Sequence, residues 1–323
     1  MLARTIVFGS ALLLAGAAFA QGPGGYPNRP VKIIVPFAPA GPTDIAARFI
    51  AQKLSESLKQ QFYIENQAGA GGNLGMGNAA KATPDGYTIL FVSSSFVVNP
   101  SLYDKISYDP YKDFIPLTVA ATAANVLLVN PAVLPVKSVK ELADFLKAAP
   151  GKYSFASAGT GTTPHLSGEL FKLTYKLDIV HVPFPGAGPA IQSIVGGHTP
   201  LAFTSLPPAV PLIKDGKLRA LAVANKTRVA VLPDVPTLAE AGLPGQEADT
   251  FQAVLVPAGT PKDISDFIYR EIVKAVKSPE VTAKFEQLGM EIICNTPEQF
   301  TQQIKDEIAK WKKVIADANI KRM

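Results

Sequence analysis

The stretch "VPFAPAGPTDIA" runs from Val35 to Ala46, and "VPFPGAGPAI" runs from Val182 to Ile191. They share V-P-F-x-x-A-G-P at a distance of 147 positions. The first follows the β-rich run Val31–Val35 and the second follows "DIVHV" (178–182). Each leads into apolar residues at helical spacing, as with Ile45, Phe49, Leu54 and Leu58. A third segment, "KYSFASAGTGTTPHLSGELFKL" (152–173), repeats the plan of strand, small-residue loop and helix. Strand then helix, met repeatedly, predicts an α/β fold with mostly parallel sheets and helices on both faces.

The rest of the chain fits that plan. Further strands are predicted at Tyr63–Glu65 and in "DGYTILFVSSS" (85–95), "ANVLLVNP" (124–131), "PLAFTS" (200–205), "LRALAVAN" (218–225) and "QAVLVPAG" (252–259). Gly69 to Gly77 reads as a glycine-rich turn before a short helix at Asn78–Lys81. Other helices are expected at Lys137–Lys147, Lys262–Lys277, Glu280–Leu288 and Pro297–Asn319. No low-complexity linker and no short-period repeat interrupts them. The chain is 323 residues long, more than one comfortable core holds, so two domains are expected. The chain would cross between them near Leu117–Asn130 and Asp249–Val256. That makes residues 21–123 plus 250–323 one domain and 124–249 the other.

Residues 1–20 read as a signal peptide. Arg4 gives a positive start, Ile6–Leu14 an apolar run, and Ala18-Phe19-Ala20 a small-residue cleavage site before Gln21. No later apolar run reaches the roughly 18 residues that span a bilayer. The expectation is an exported protein working in the periplasm. The net charge of +5 falls by one with Arg4 and has no basic cluster, which disfavours nucleic acid and suits an anionic small molecule. The single cysteine, Cys294, allows no intramolecular disulfide.

In open α/β sheets ligands sit beyond the carboxyl ends of strands. Three such junctions stand out: Phe37–Thr43, Ser157–Pro164 and Phe184–Pro189. Pro42, Pro164 and Pro189 suit a first helical position, and Thr163 suits a cap. Ala40, Gly41, Gly159, Gly161, Ala187 and Gly188 leave the backbone N–H groups open to a ligand. A helix start carries about half a positive charge and favours carboxylate or phosphate. The hydroxyls of Ser157, Thr160, Thr162 and Thr163 add neutral donors in the second loop. His165, in a first helical turn, is a further candidate donor to an anion. His181, in a strand, reads as structural.

Catalytic sets are not recognisable. "FASAG" around Ser157 lacks the leading glycine of a nucleophile elbow. "GAGGNLG" (69–75) has the wrong spacing for a dinucleotide loop, and no phosphate-binding P-loop exists. The three histidines lack metal-ligand spacing. No enzyme activity, cofactor or metal is expected. A secreted serine hydrolase using Ser157 with His165 or His181 is the alternative from another class.

Over essentially the whole mature length the chain resembles the periplasmic substrate-binding proteins of tripartite tricarboxylate transporters, the Bug family. The matching stretches include "YPNRPVKIIVPFAPAGPTDIAAR" (26–48), "NQAGAGGNLG" (66–75), "ATPDGYTIL" (82–90), "YSFASAGTGTTPHLSGELFK" (153–172), "LPDVPTLAEAG" (232–242) and "TPEQF" (296–300). The resemblance implies a two-domain, type II-like periplasmic binding protein that closes on a small carboxylated ligand in the cleft between domains. It would deliver the ligand to membrane transporter subunits, as a monomer. Carried over, the first clamp is Ala38, Pro39, Ala40 and Gly41, with Ser93, Ser94 and Ser95 as a cleft wall. The second is Ser157, Gly161, Thr162 and Thr163, with Ala187 and Gly188.

Departures bear on the ligand. Relatives commonly read tyrosine-lysine-glycine where this chain has Phe184-Pro185-Gly186, and aspartate where it has Thr204. Loss of that carboxylate favours a dianion over an amine-bearing ligand. Ala40 stands where glycine is usual, and Phe251 where tryptophan is frequent. Phe184, Phe251 and Phe96 form either an apolar middle to the cleft or part of the core. The leading expectation is a dicarboxylate with an aliphatic or aromatic apolar spacer; the alternative is a monocarboxylate or aromatic acid.

Overall fold

A computed structural model describes residues 22–317 and 320–323. The signal-peptide reading of residues 1–20 lies outside the described residues. The strands are β1 (Val31–Val35), β2 (Phe62–Asn66), β3 (Thr88–Ser93), β4 (Phe114–Ala123), β5 (Asn125–Val129), β6 (Ser154–Ser157), β7 (Val180–Pro183), β8 (Leu201–Ser205), β9 (Arg219–Val223), β10 (Thr250–Pro257) and β11 (Met290–Ile292). The helices are α1 (Pro42–Leu58), α2 (Asn73–Ala80), α3 (Ser95–Leu102), α4 (Val139–Lys147), α5 (Thr163–Tyr175), α6 (Ala187–Val195), α7 (Val210–Lys214), α8 (Lys262–Val276), α9 (Pro279–Gln287) and α10 (Pro297–Asp317).

Two sheets form two lobes. The first has the order β11-β4-β10-β3-β1-β2 and the second β7-β6-β8-β5-β9. The chain passes from one to the other at Ala124, between β4 and β5, and returns at Asp249, just before β10. Strands β5, β8 and β10 are buried along their whole length, as expected of sheets covered on both faces. Two apolar clusters flank each sheet, one per face.

The α/β organisation matches the sequence reading, but the sheets are mixed rather than mostly parallel. Strand β1 runs parallel to β2 and β3, and β6 parallel to β7 and β8. Strand β10 is antiparallel to β3 and β4, and β5 is antiparallel to β8 and β9. The crossings are the reason. A strand arriving from the other lobe starts at the end where the home strands finish, so it must run against them. Hydrophobic periodicity carries no direction, so the sequence did not reveal this.

Local corrections have physical causes. Helix α2 begins at Asn73, within the stretch read as a turn. Its glycines serve close packing: a Cβ on Gly75 would meet Pro36 and one on Gly77 would meet Ser107. Helix α3 extends from the serine run and tolerates Pro100 inside it. Thr162, not Thr163, caps α5, its side chain accepting from the His165 amide. Pro164 and Pro189 therefore sit second and third in their helices, where a missing N–H is still harmless.

Candidate functional site

The starts of α1, α5 and α6 meet between the lobes. They enclose, with the ends of β3 and β8 and the start of β10, a space of about 360 Å³, mouth included. Its walls are Phe37, Gly41, Pro42, Thr43, Ser93, Ala158, Thr162, Thr163, Pro164, Ala187, Ser205 and Thr250. None of these residues is charged. Among the described residues, the backbone amides of Gly41, Thr43, Thr163 and Ala187 have no acceptor. They are the open N–H groups of three helix starts, drawn from both lobes.

The lobes touch around this space. Ala38 donates its amide to the Pro185 carbonyl at 3.0 Å, and Tyr103 donates its hydroxyl to the Thr160 carbonyl at 3.1 Å. A Cβ on Gly41 would lie 3.7 Å from the Ala187 nitrogen, and one on Gly186 would lie 3.2 Å from that of Ala38. Gly161 has φ of +86° and abuts Asn99, whose Oδ1 a Cβ would overlap. Leu166 of α5 belongs to the apolar cluster of the first lobe that also holds Phe251, Phe300 and Trp311. The arrangement is closed.

Asn125 sits beneath the space, at the first crossing, with 1% of its surface exposed. Its Nδ2 donates to Thr163 Oγ1 at 3.0 Å and to the Ala248 carbonyl at 2.7 Å. Its Oδ1 accepts from Ser205 Oγ at 3.1 Å and from Thr250 Oγ1 at 3.0 Å. Thr163 and Thr250 hydroxyl oxygens are 2.6 Å apart. One buried carboxamide thus ties both lobes and three wall hydroxyls together, with its four hydrogen-bonding positions filled.

Of the residues singled out in the sequence, Gly41, Ser93, Thr162, Thr163 and Ala187 line the space. Ala38, Pro39, Ala40 and Gly188 form the rim where the lobes meet. The Ala38 amide is taken by Pro185, and the Ala40 amide donates to Asp44 Oδ2 at 3.0 Å. Ala40 holds φ of +65°, which explains why glycine suits that position. Ser94 accepts the Phe251 amide at 2.9 Å, and Ser95 Oγ lies 3.2 Å from Ser93 Oγ.

Behind the second loop lies a polar cluster. Ser157, fully buried, contacts His181 Nε2 at 2.7 Å. The His165 and His181 rings are 4.3 Å apart, and Gly161 donates its amide to His165 Nδ1 at 3.4 Å. Burial, then the neighbouring His181 and Lys172, lowers the His165 pKa to about 3; burial, then Lys172, lowers that of His181 to about 4. Both rings are neutral at pH 7, so His165 offers an anion no positive charge. It braces the loop instead.

Thr204 is fully buried in β8, its Oγ1 without a partner among the described residues. Phe251 packs edge-on against Phe300, centroids 5.9 Å apart, and Phe96 stacks on Tyr108 at 5.3 Å. Both belong to the first lobe's core, and Phe184 packs half-buried on a second-lobe cluster. The apolar wall is instead Phe37, Pro42, Ala158 and Pro164. Phe37 carried a signal, being the repeated phenylalanine of the opening motif. Ser205 and Thr250 carried none, because only the crossings bring them to the site. Among the described residues no three His, Cys, Asp or Glu side chains are grouped to hold a metal, and no helix is long and apolar enough to cross a membrane.

A family model described as "Tripartite tricarboxylate transporter family receptor" matches residues 46–320. Protein BugT of Bordetella pertussis is 37% identical over 317 residues, 98% of this chain and 97% of its own. The solved structure of R. palustris Rpa4515 with adipate superposes with a TM-score of 0.88 at 35% identity, over 92% of this chain and 100% of the other. MatC (Rpa3494) from Rhodopseudomonas palustris with bound malate gives 0.85 at 33%, over 90% and 100%.

Proposed function

The chain belongs to the tripartite tricarboxylate transporter receptors, and from that premise we propose that it captures a small dicarboxylate in the periplasm and delivers it, as a monomer, to the membrane subunits of such a transporter. It is a solute receptor and not an enzyme. Residues 21–123 with 250–323, and residues 124–249, are the two bodies that close on the ligand.

The observation that carries the reading is the convergence of four unpaired amides, on Gly41, Thr43, Thr163 and Ala187, upon one space without lysine or arginine. Helix-start amides favour carboxylate oxygens, each charge-assisted bond contributing roughly 1.5–3 kcal/mol. Because the amides come from both lobes, a guest with a carboxylate at each end links the lobes. Its apolar spacer lies along Phe37, Pro42 and Pro164. That relatives were solved with adipate and malate supports a carboxylate guest.

The test is calorimetry with diacids of graded length and their monoacid analogues. One diacid is expected to bind with sub-millimolar affinity, and its monoacid far more weakly. Equal affinities would replace the dicarboxylate reading with a monocarboxylate one. No carboxylate binding at all would remove both. A thermal-shift screen is a quick first pass, since a ligand at 100 times its dissociation constant stabilises by about 2.7 kcal/mol.

A further inference from the structure

The direction of each proton around Asn125 follows from its partners. The Ala248 carbonyl can only accept, so the Asn125 atom 2.7 Å from it is the amide nitrogen, and the other is Oδ1. Oδ1 can only accept, so Ser205 and Thr250 both turn their protons to it, at 3.1 and 3.0 Å. Thr250 then has no proton left for Thr163. The 2.6 Å contact between those hydroxyls is therefore a donation by Thr163. Thr162, the fourth hydroxyl on this side, donates to the Gly159 carbonyl at 2.7 Å. Each of these four hydroxyls has spent its single proton on the protein. Towards the enclosed space they present lone pairs alone.

This reverses the role expected of Thr162 and Thr163, whose hydroxyls were read as donors to an anion. A carboxylate oxygen laid on this face would meet lone pairs with lone pairs. The donors lie elsewhere on the wall: the four helix-start amides, and the hydroxyl of Thr43. The hydroxyls of Thr163, Ser205 and Thr250 can therefore only accept, while the helix-start amides donate.

We infer that the ligand carries, besides its carboxylate, a hydroxyl group that donates to the acceptor-only face of Thr163, Ser205 and Thr250. The inference rests on the carboxylate-receptor reading and adds specificity to it. A hydroxyl fits better than an ammonium, because no carboxylate lines the space to neutralise one. Asp44, behind the first loop, is committed to Ala40, Arg48 and Asn66.

The experiment compares matched pairs by calorimetry: succinate with malate, glutarate with 2-hydroxyglutarate, adipate with 2-hydroxyadipate. In the pair whose length fits, the hydroxy acid is expected to bind roughly three- to tenfold tighter, the effect of one net hydrogen bond. In Thr250→Val, one acceptor is lost and the Thr163 proton is released towards the ligand, so the preference is expected to fall to one or invert. Ser205→Ala, which leaves Thr250 on Asn125 Oδ1, is the second variant should the first fail to fold, and is expected to weaken the preference. Equal affinities within a binding pair, or a preference untouched by a folded variant, overturn the inference and leave the receptor reading intact. Failure of all six acids to bind removes the reading beneath it.

Discussion

Ser157 Oγ lies 2.7 Å from His181 Nε2, the separation of a serine nucleophile and its base. The rest of a catalytic site is missing around it. Ser157 is fully buried, no carboxylate orients the other His181 nitrogen among the described residues, and the Phe155 ring stacks on the imidazole at 4.9 Å. The hydroxyl and imidazole instead satisfy each other inside the second lobe. Ser157→Ala is expected to destabilise by about 1–3 kcal/mol, because it leaves a part-buried ring nitrogen unpaired. Denaturant unfolding reads the loss. Ester hydrolysis by either form would contradict this assignment.

The histidine pair sets an acid limit. Both folded pKa values, about 3 for His165 and about 4 for His181, lie below the ordinary histidine value of 6.5. Between those limits the unfolded chain binds more protons than the folded one, so stability rises with pH. It is expected to be complete above pH 6.5 and to fall by pH 4 by up to about 3 kcal/mol for each ring. His181→Phe should flatten that slope. A melting temperature constant from pH 7 to 4 would refute the account.

Tyr103 and Thr160 hold the lobes together without touching the ligand space. Tyr103→Phe removes one bond across the closure, worth about 0.5–1.5 kcal/mol. Ligand affinity should drop roughly three- to tenfold, with the unliganded melting temperature little changed. A large loss of stability instead would assign the bond to folding.

Gly161 makes closure sterically possible. In Gly161→Ala the new Cβ meets Asn99 across the lobe boundary and the residue is strained at φ of +86°. Stability should fall by about 1 kcal/mol and affinity by tenfold or more, since the bound arrangement is blocked. Small-angle scattering should find the variant extended even with ligand present.

Ala40 is strained in the opposite sense. At φ of +65° it occupies a conformation that glycine adopts freely. Ala40→Gly is expected to raise stability by up to about 1 kcal/mol with no loss of binding. A lower melting temperature would show that the alanine methyl, which faces Gly188, contributes more packing than its strain costs.

The sequence by itself determined the strand–loop–helix repeats, the small residues at three helix starts and hence the receptor family. These are local facts: period, turn chemistry and proline placement are written within about ten residues of each other. Tertiary structure alone decided which groups are still free. It gave the Ala38 and Ala40 amides to Pro185 and Asp44, drew Phe96 and Phe251 into a core, turned β10 against its neighbours, and brought Ser205 and Thr250 onto Asn125. Each hydrogen bond has one proton, and its assignment depends on partners up to 125 positions away, as for Asn125 and Thr250. No short window of sequence contains that information.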